Sequence, residues 1–165
     1  MIIEMKVLGL TMDPSTSSPI VILRDEMGKR SLPIWIGIME ASAIAMELQK
    51  VKFVRPLTHD LIKNILESLN ATINRIVVND LRDNTYYATI FIKIKGDEFQ
   101  IDSRPSDAIA IALRTESPIF VEEQVIAKSL QMEMTKDGLT EEEIKKKWAE
   151  LLESLPPEDF GKYKM

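Results

Sequence analysis

The chain has 165 residues, 45% hydrophobic and 28% charged, the size and balance of one domain that can bury its own core without metals or disulfides. It has no cysteine, which excludes a disulfide framework and a thiolate metal site. The net charge of −5 argues against a protein that coats nucleic acid electrostatically. Residues 131–165 hold 6 Lys/Arg against 9 Asp/Glu, so the rest is nearly balanced and leaves room for a local basic groove. Glu4 and Lys6 interrupt the apolar start at Met1–Leu10, and no apolar run approaches the roughly 18 residues of a membrane span. A cytoplasmic protein with no membrane partner is expected.

Ile3, Met5 and Val7 alternate with Glu4 and Lys6, the period of a half-buried strand. Turn formers fill residues 13–19. Ile20 to Leu23 then reads as a buried strand, Glu26-Met27-Gly28-Lys29 as a turn, and Leu32 to Ile36 as the return strand, which Pro33 either directs to an edge or makes start late. A helix is expected from Ile38 to Lys50, with Ile38, Ala41, Ala45 and Leu48 on one face. Thr58 is the expected N-cap of a second helix, Asp60 lies in its first turn, and Asn70 serves as the left-handed stop. Its apolar stripe is Leu61, Ile62, Ile65, Leu66 and Leu69.

Three strands follow, at Thr72–Val78, Tyr86–Lys95 and Glu98–Asp102, with hairpin turns at Asp83-Asn84 and Gly96-Asp97. The second turn predicts Ile94 opposite Phe99 and Ile92 opposite Ile101. The first hairpin needs a bulge to reconcile Arg75 and Asn79 with Ile73 and Val77. The helix opening at Arg104-Pro105-Ser106-Asp107 is apolar all round from Ala108 to Leu113, so it belongs at the centre of the fold. A short strand at Ile119–Val121 and a helix from Glu122 to Leu130 come next. A capping box, Thr140 with Glu143, opens a last helix whose stripe is Ile144, Trp148, Leu151 and Leu152; Pro156-Pro157 stops it. That stripe must bury against the body or against a second subunit, and a homo-oligomer, a dimer by preference, is expected. The fold class predicted is α+β: a mixed or antiparallel sheet packed with several helices around a buried central helix, plus a C-terminal helical tail. Residues 1–130 form the domain, and 131–165 a charged linker with an amphipathic helix.

No Walker loop, dinucleotide glycine pattern or zinc-ligand spacing occurs, and His59 is the single histidine. What remains is carboxylates, arginines, hydroxyls and one imidazole, a set suited to a carboxylate-held divalent ion, Mg²⁺ or Mn²⁺, acting on a phosphodiester. Asp102 and Asp107 are the candidate ion ligands and catalytic acids, with Arg104 and Ser106 on phosphate; the same residues also read as a helix cap answered by an acid. His59 is a candidate general acid or base and Arg55 a phosphate clamp, beside the reading of a capped helix start. Glu40, just after Trp35-Ile36-Gly37, either points into a site or answers its helix dipole. Tyr87, Phe91, Lys93 and Lys95 share a strand face as in single-strand binding, or as on an ordinary half-exposed strand.

Leu32-Pro33-Ile34-Trp35-Ile36-Gly37 with Glu40-Ala41, then Arg55-Pro56-Leu57-Thr58-His59-Asp60, then Asp102-Ser103-Arg104-Pro105-Ser106-Asp107-Ala108-Ile109-Ala110, occur in that order. Together they resemble the bifunctional nuclease domain family across about residues 2–130. The resemblance implies cleavage of RNA and DNA with low sequence specificity, and singles out Glu40, Arg55, His59, Asp102, Arg104 and Asp107 for test. A reading of another class is a non-catalytic oligomeric scaffold that binds a small anion or a protein.

Overall fold

A computed structural model describes residues 1–154. In chain order they form β1 (Ile2–Met12), β2 (Pro19–Asp25), β3 (Ser31–Trp35), α1 (Ile38–Leu48), α2 (Thr58–Ser68), β4 (Ala71–Arg82), β5 (Thr85–Ile94), β6 (Asp97–Ser103), α3 (Pro105–Thr115), β7 (Ile119–Glu122), α4 (Glu123–Asp137) and α5 (Glu141–Ser154). The fold is mixed α+β. One seven-stranded sheet runs β3-β2-β1-β7-β4-β5-β6, antiparallel except for the parallel pair β4–β7. Pro33 lies in β3, an edge strand, where its missing N–H breaks no ladder on the open side. The sheet curls enough that Tyr86 on β5 donates its hydroxyl to the Pro33 carbonyl on β3.

Both hairpin turns are two residues long. Asp83 and Asn84 take φ of 49° and 63°. In the second, Lys95 and Gly96 take φ of 51° and 89°, so the turn is Lys95-Gly96 rather than Gly96-Asp97. Ile92 therefore faces Phe99, and Ile90 faces Ile101. The expected register is off by two residues, and because strand faces repeat every second residue, every side chain still points to its expected face. The bulges between β4 and β5, at Ile73/Arg75 and Val78/Asp80, supply the phase change that the first hairpin demanded.

α3 is buried on every side, with Ala108, Ile109, Ala110, Ile111 and Ala112 in one core with α1 and the inner sheet residues Val21, Leu23, Ile76 and Ile90. Ile20 and Ile22, on the alternate face of β2, pack instead with Ile144 and Trp148 of α5. The stripe of α5 thus lies on its own body, behind the capping box of Thr140 and Glu143. α4 continues past Leu130 to Asp137 and contributes to both clusters, Val125 to the first and Leu130 to the second. Pro156 and Pro157 lie outside the described residues.

Two helices differ from expectation. Thr58 is the first residue of α2 and Leu57 its N-cap; the Asp60 carboxylate reaches back to accept the Leu57 N–H, which performs the capping instead. Asn70 does take the left-handed stop at φ 53°. Of the α2 stripe, Ile62 and Leu66 meet the core while Leu61, Ile65 and Leu69 stay exposed, because α2 rides over the rim of the sheet and its apolar arc is wider than the contact offered. On α1, Ile44 fills the core position and Ile38 is exposed.

Candidate active site

Three helices begin at one place. α1, α2 and α3 each carry an acid in the first turn, Glu40, Asp60 and Asp107, and none has a side-chain hydrogen bond from its N-cap residue. The positive ends of their dipoles and their free N–H groups favour negative charge there. The extended Arg104, fixed ahead of Pro105, sits at the junction of β6 and α3.

Arg104 joins two of these acids. Its Nη1 donates to Glu40 Oε1 and its Nε to Asp107 Oδ2, both at 2.8 Å. The other Asp107 oxygen, Oδ1, lies 3.0 Å from His59 Nε2. Residues 40, 59, 104 and 107 thus form one chain of contacts, Glu40–Arg104–Asp107–His59. Burial works to raise the Asp107 pKa, but hydrogen bonds from Arg104 and His59 outweigh it and hold the carboxyl below the usual range. The backbone N–H at its own position and then Arg104 lower Glu40. Asp107 and Glu40 push the guanidinium further up. With Asp107 an acceptor on both oxygens, His59 Nε2 is the donor in this contact, and Nδ1 is the ring nitrogen left for another partner.

Gly37 makes room for this. Its backbone, at φ −77°, suits any residue, but a Cβ would stand 2.1 Å from Glu40 Oε2. The glycine is needed for space, since the carboxylate folds back over it.

Behind the chain of contacts stands a buried arginine that the sequence reading did not single out. Arg114 Nε donates to Asp60 Oδ1 at 3.0 Å, Nη2 to the Ala43 carbonyl of α1 and Nη1 to the Ala110 carbonyl of α3. It ties the three helices whose starts carry the polar cluster. An arginine closing the apolar run Ala108–Leu113 was the available signal, because a buried guanidinium requires a carboxylate.

A sequence profile described as Bifunctional nuclease domain matches residues 21–134. The chain belongs to that family. Uncharacterized protein Rv1829 of Mycobacterium tuberculosis (strain ATCC 25618 / H37Rv) is 39% identical over 95% of this chain and 97% of its own length. Bifunctional nuclease 2 of Oryza sativa subsp. japonica is 29% identical over 68% of this chain and 36% of that protein. Bifunctional nuclease 2 of Arabidopsis thaliana is 27% identical, covering 63% and 32%. The chain therefore spans about a third of these plant relatives.

In this bifunctional nuclease domain the candidate residues separate into groups. Glu40, His59, Arg104 and Asp107 converge as described. Arg55 is exposed just ahead of α2 and makes no hydrogen bond or ion pair among the described residues. Ser106 is buried in the first turn of α3. Asp102 is exposed on β6 opposite Thr89, without a contact to the chain of four. Lys93 stands opposite Glu98 on the side of β5 that alternates with the buried Ile90 and Ile92, away from α3. On that same side Arg75 covers the Phe91 ring at 3.8 Å and Arg82 the Tyr87 ring at 4.0 Å, so both aromatic faces already hold cations.

The carboxylates here are a poor donor set for a divalent ion. Both Asp107 oxygens are engaged by cationic or N–H partners, Asp102 stands apart, and among the described residues no three His, Cys, Asp or Glu side chains are grouped to hold a metal. These residues do not fit Mg²⁺ or Mn²⁺ as arranged. Among the described residues no helix is long and apolar enough to cross a membrane.

Proposed function

We propose that the protein hydrolyses phosphodiester bonds in RNA and DNA with little sequence preference, as a nuclease acting in the cytoplasm, with residues 40, 59, 104 and 107 as its working site. The observation that carries this reading is the unbroken contact chain Glu40–Arg104–Asp107–His59 at the meeting of three helix starts. Asp107 orients the imidazole, as a carboxylate does in other acid–base pairs. His59 Nδ1 takes the proton of the attacking hydroxyl, the ribose 2′-OH in RNA or water in DNA, and returns a proton to the leaving oxygen. Arg104 uses two of a guanidinium's five N–H donors on Glu40 and Asp107, and with the side chain 63% exposed the rest are open to phosphate oxygens as charge builds on them. The exposed Arg55 adds a second cation for the backbone.

The experiment is a cleavage assay on single-stranded RNA and DNA with rigorously purified protein, alone and with added Mg²⁺ or Mn²⁺. His59→Ala and Asp107→Asn are each expected to lower the rate by about 10²–10⁴-fold, the worth of a positioned acid–base group. Arg104→Lys keeps the charge but cannot bridge both acids, and is expected to lose most of the rate as well. Parent-like rates in the histidine and aspartate variants would remove these residues from the chemistry. Strong stimulation by a divalent ion would require Asp107 to exchange Arg104 for metal, and the Asp107→Asn variant would then lose that stimulation.

A second reading is a non-catalytic anion- or protein-binding scaffold. It is favoured by the satisfaction of Glu40 and Asp107 within the chain, which leaves Arg104 half neutralised before any guest arrives. It predicts no cleavage, with inorganic phosphate still raising the melting temperature of the parent but not of Arg104→Ala.

A further inference from the structure

The side chains of β2 alternate between two faces, and Ile20, Ile22 and Arg24 share the one that packs with α5. On that side lies a cavity of about 570 Å³, walled by Pro33 of β3, Ile126 and Leu130 of α4, and Ile144 and Trp148 of α5. Its volume is that of a small-molecule site, and it shares no lining residue with Glu40, His59, Arg104 or Asp107. The charges around it are unmatched. Its three acids are engaged: Glu123 by Arg30, Glu141 by Lys145, and Glu133 by the Trp148 indole N–H. Two of its four cations, Arg24 and Lys29, have no carboxylate partner among the described residues. The Arg24 guanidinium lies against Gly28 and donates Nη2 to its carbonyl at 3.0 Å. A Cβ on Gly28, itself at φ 68°, would stand 2.9 Å from that nitrogen, so the turn is shaped around the arginine. Its Nε is nevertheless buried without a partner. Across the strand pairs Arg24 stands opposite Lys6 on β1 and Ser31 on β3. Like charges directly opposite weaken a sheet, and among the described residues no acid pairs with either cation.

We infer that this cavity binds a small amphipathic carboxylate, with its apolar body against Ile126, Leu130, Ile144 and Trp148 and its charge on the guanidinium of Arg24. The contrast with Arg114 carries the argument. That guanidinium has Asp60 and two carbonyls for its donors, whereas Arg24 has one carbonyl and no acid. A half-buried guanidinium without an anion is costly, and a planar carboxylate matches its fork. An anion there also offsets Arg24 against Lys6 across the strand pair, with Lys29 adding a second cation on the hairpin. Other ligand classes fit less well. A cation meets Arg24 and Lys29, and a polyanion sets surplus charge against isoleucine, leucine and tryptophan. A neutral apolar molecule leaves the arginine as it stands. Glu133 does not oppose the anion strongly, because burial pushes its carboxyl up towards the neutral form and Trp148 holds one oxygen. A bound carboxylate joins the β2–β3 hairpin to α4 and α5, so it steadies the last helix on the body.

The test needs no nucleic acid and is independent of cleavage. Titration calorimetry of the full chain compares two carboxylates, 1-naphthoate and decanoate, with the neutral 1-naphthalenemethanol. At least one carboxylate is expected to bind saturably at one per chain and to raise the melting temperature. The alcohol should bind about 10- to 100-fold more weakly than naphthoate, the worth of a charge-assisted hydrogen bond. Arg24→Gln is expected to lower carboxylate affinity by the same factor and to erase the preference over the alcohol. Ala127→Trp, which fills the cavity from α4 without altering a charge, should block all three probes. Amide exchange over residues 141–154 should slow when the bound carboxylate is present. No saturable binding of either carboxylate, an alcohol that binds as tightly, or parent-like binding by Arg24→Gln would each overturn the inference. Should Arg24→Gln fail to fold, Ala127→Trp decides, since parent-like binding in that variant places the ligand elsewhere.

Discussion

Gly37 and Glu40 act as a unit, and the unit makes a sharp prediction. Gly37→Ala is compatible with the local backbone, and the only hard contact it creates is with the end of a flexible carboxylate. It is expected to cost at most about 1 kcal/mol of stability, within the range of mild substitutions. It should nevertheless displace Glu40 and mimic Glu40→Gln in any activity or anion-binding assay. The acids of the site also set a pH dependence. The folded pKa values of Glu40 and Asp107 lie below their unfolded ones, so their contribution is present above the unfolded value, about 4, and is lost as the pH falls through the folded value. Urea titrations of the parent and Asp107→Asn should differ most at pH 7 and draw together as the pH falls below about 4. Glu133 has the opposite sign. Burial raises its pKa against the hydrogen bond from Trp148, so the charged form is disfavoured in the fold. Glu133→Gln keeps the acceptor and is expected to raise the melting temperature at pH 7 and leave it level with the parent at pH 4 and below.

At the level of elements, Arg114 ties α2 to α1 and α3 where apolar contact is only partial, since α2 contributes no fully buried side chain. Arg114→Ala leaves Asp60 and two carbonyls without their donor, and is expected to destabilise by about 2–4 kcal/mol, measured by urea unfolding. Loosening of α2 should appear first, as faster amide exchange over residues 58–68 than over α3. α5 answers to a different anchor. Trp148 packs edge-on against Trp35 at 6.1 Å between ring centres and donates to Glu133. Trp148→Ala removes both, with an expected loss of about 3–5 kcal/mol.

For the whole molecule, an overall charge of −5 limits how the proposed nucleic-acid substrate would be held, to a few cations. If Arg104 and Arg55 are the two phosphate contacts, binding of a single strand should weaken with salt at a slope near −1.4 in log–log terms, about 0.7 per contact. A protein that coated nucleic acid with many cations would give a far steeper line. Fluorescence anisotropy across a salt series measures this directly, and Arg55→Ala should bring the slope to about half.

Much of this was legible from residues in order. The period-two strands, the all-round apolar α3, the edge placement of Pro33, the need for a β4–β5 bulge, and the capping box of α5 are local patterns, governed by side-chain spacing and turn chemistry within a few residues. Even the misplaced β5–β6 turn left each face correct, because parity survives a shift of two. The motifs around Glu40, His59 and Asp107 could likewise be named from sequence. Their contact could not, since it joins three segments as many as 67 positions apart and depends on how α1 and α2 lean on α3. Tertiary packing alone decided that Asp107 is shared between Arg104 and His59, that Asp102 and Lys93 stand outside, and that Arg114 ties the cluster. It also decided which apolar stripe is covered: α5 found β2, whereas half of α2 is left uncovered among the described residues. Periodicity states that a face must be buried, and only the assembled surface states against what.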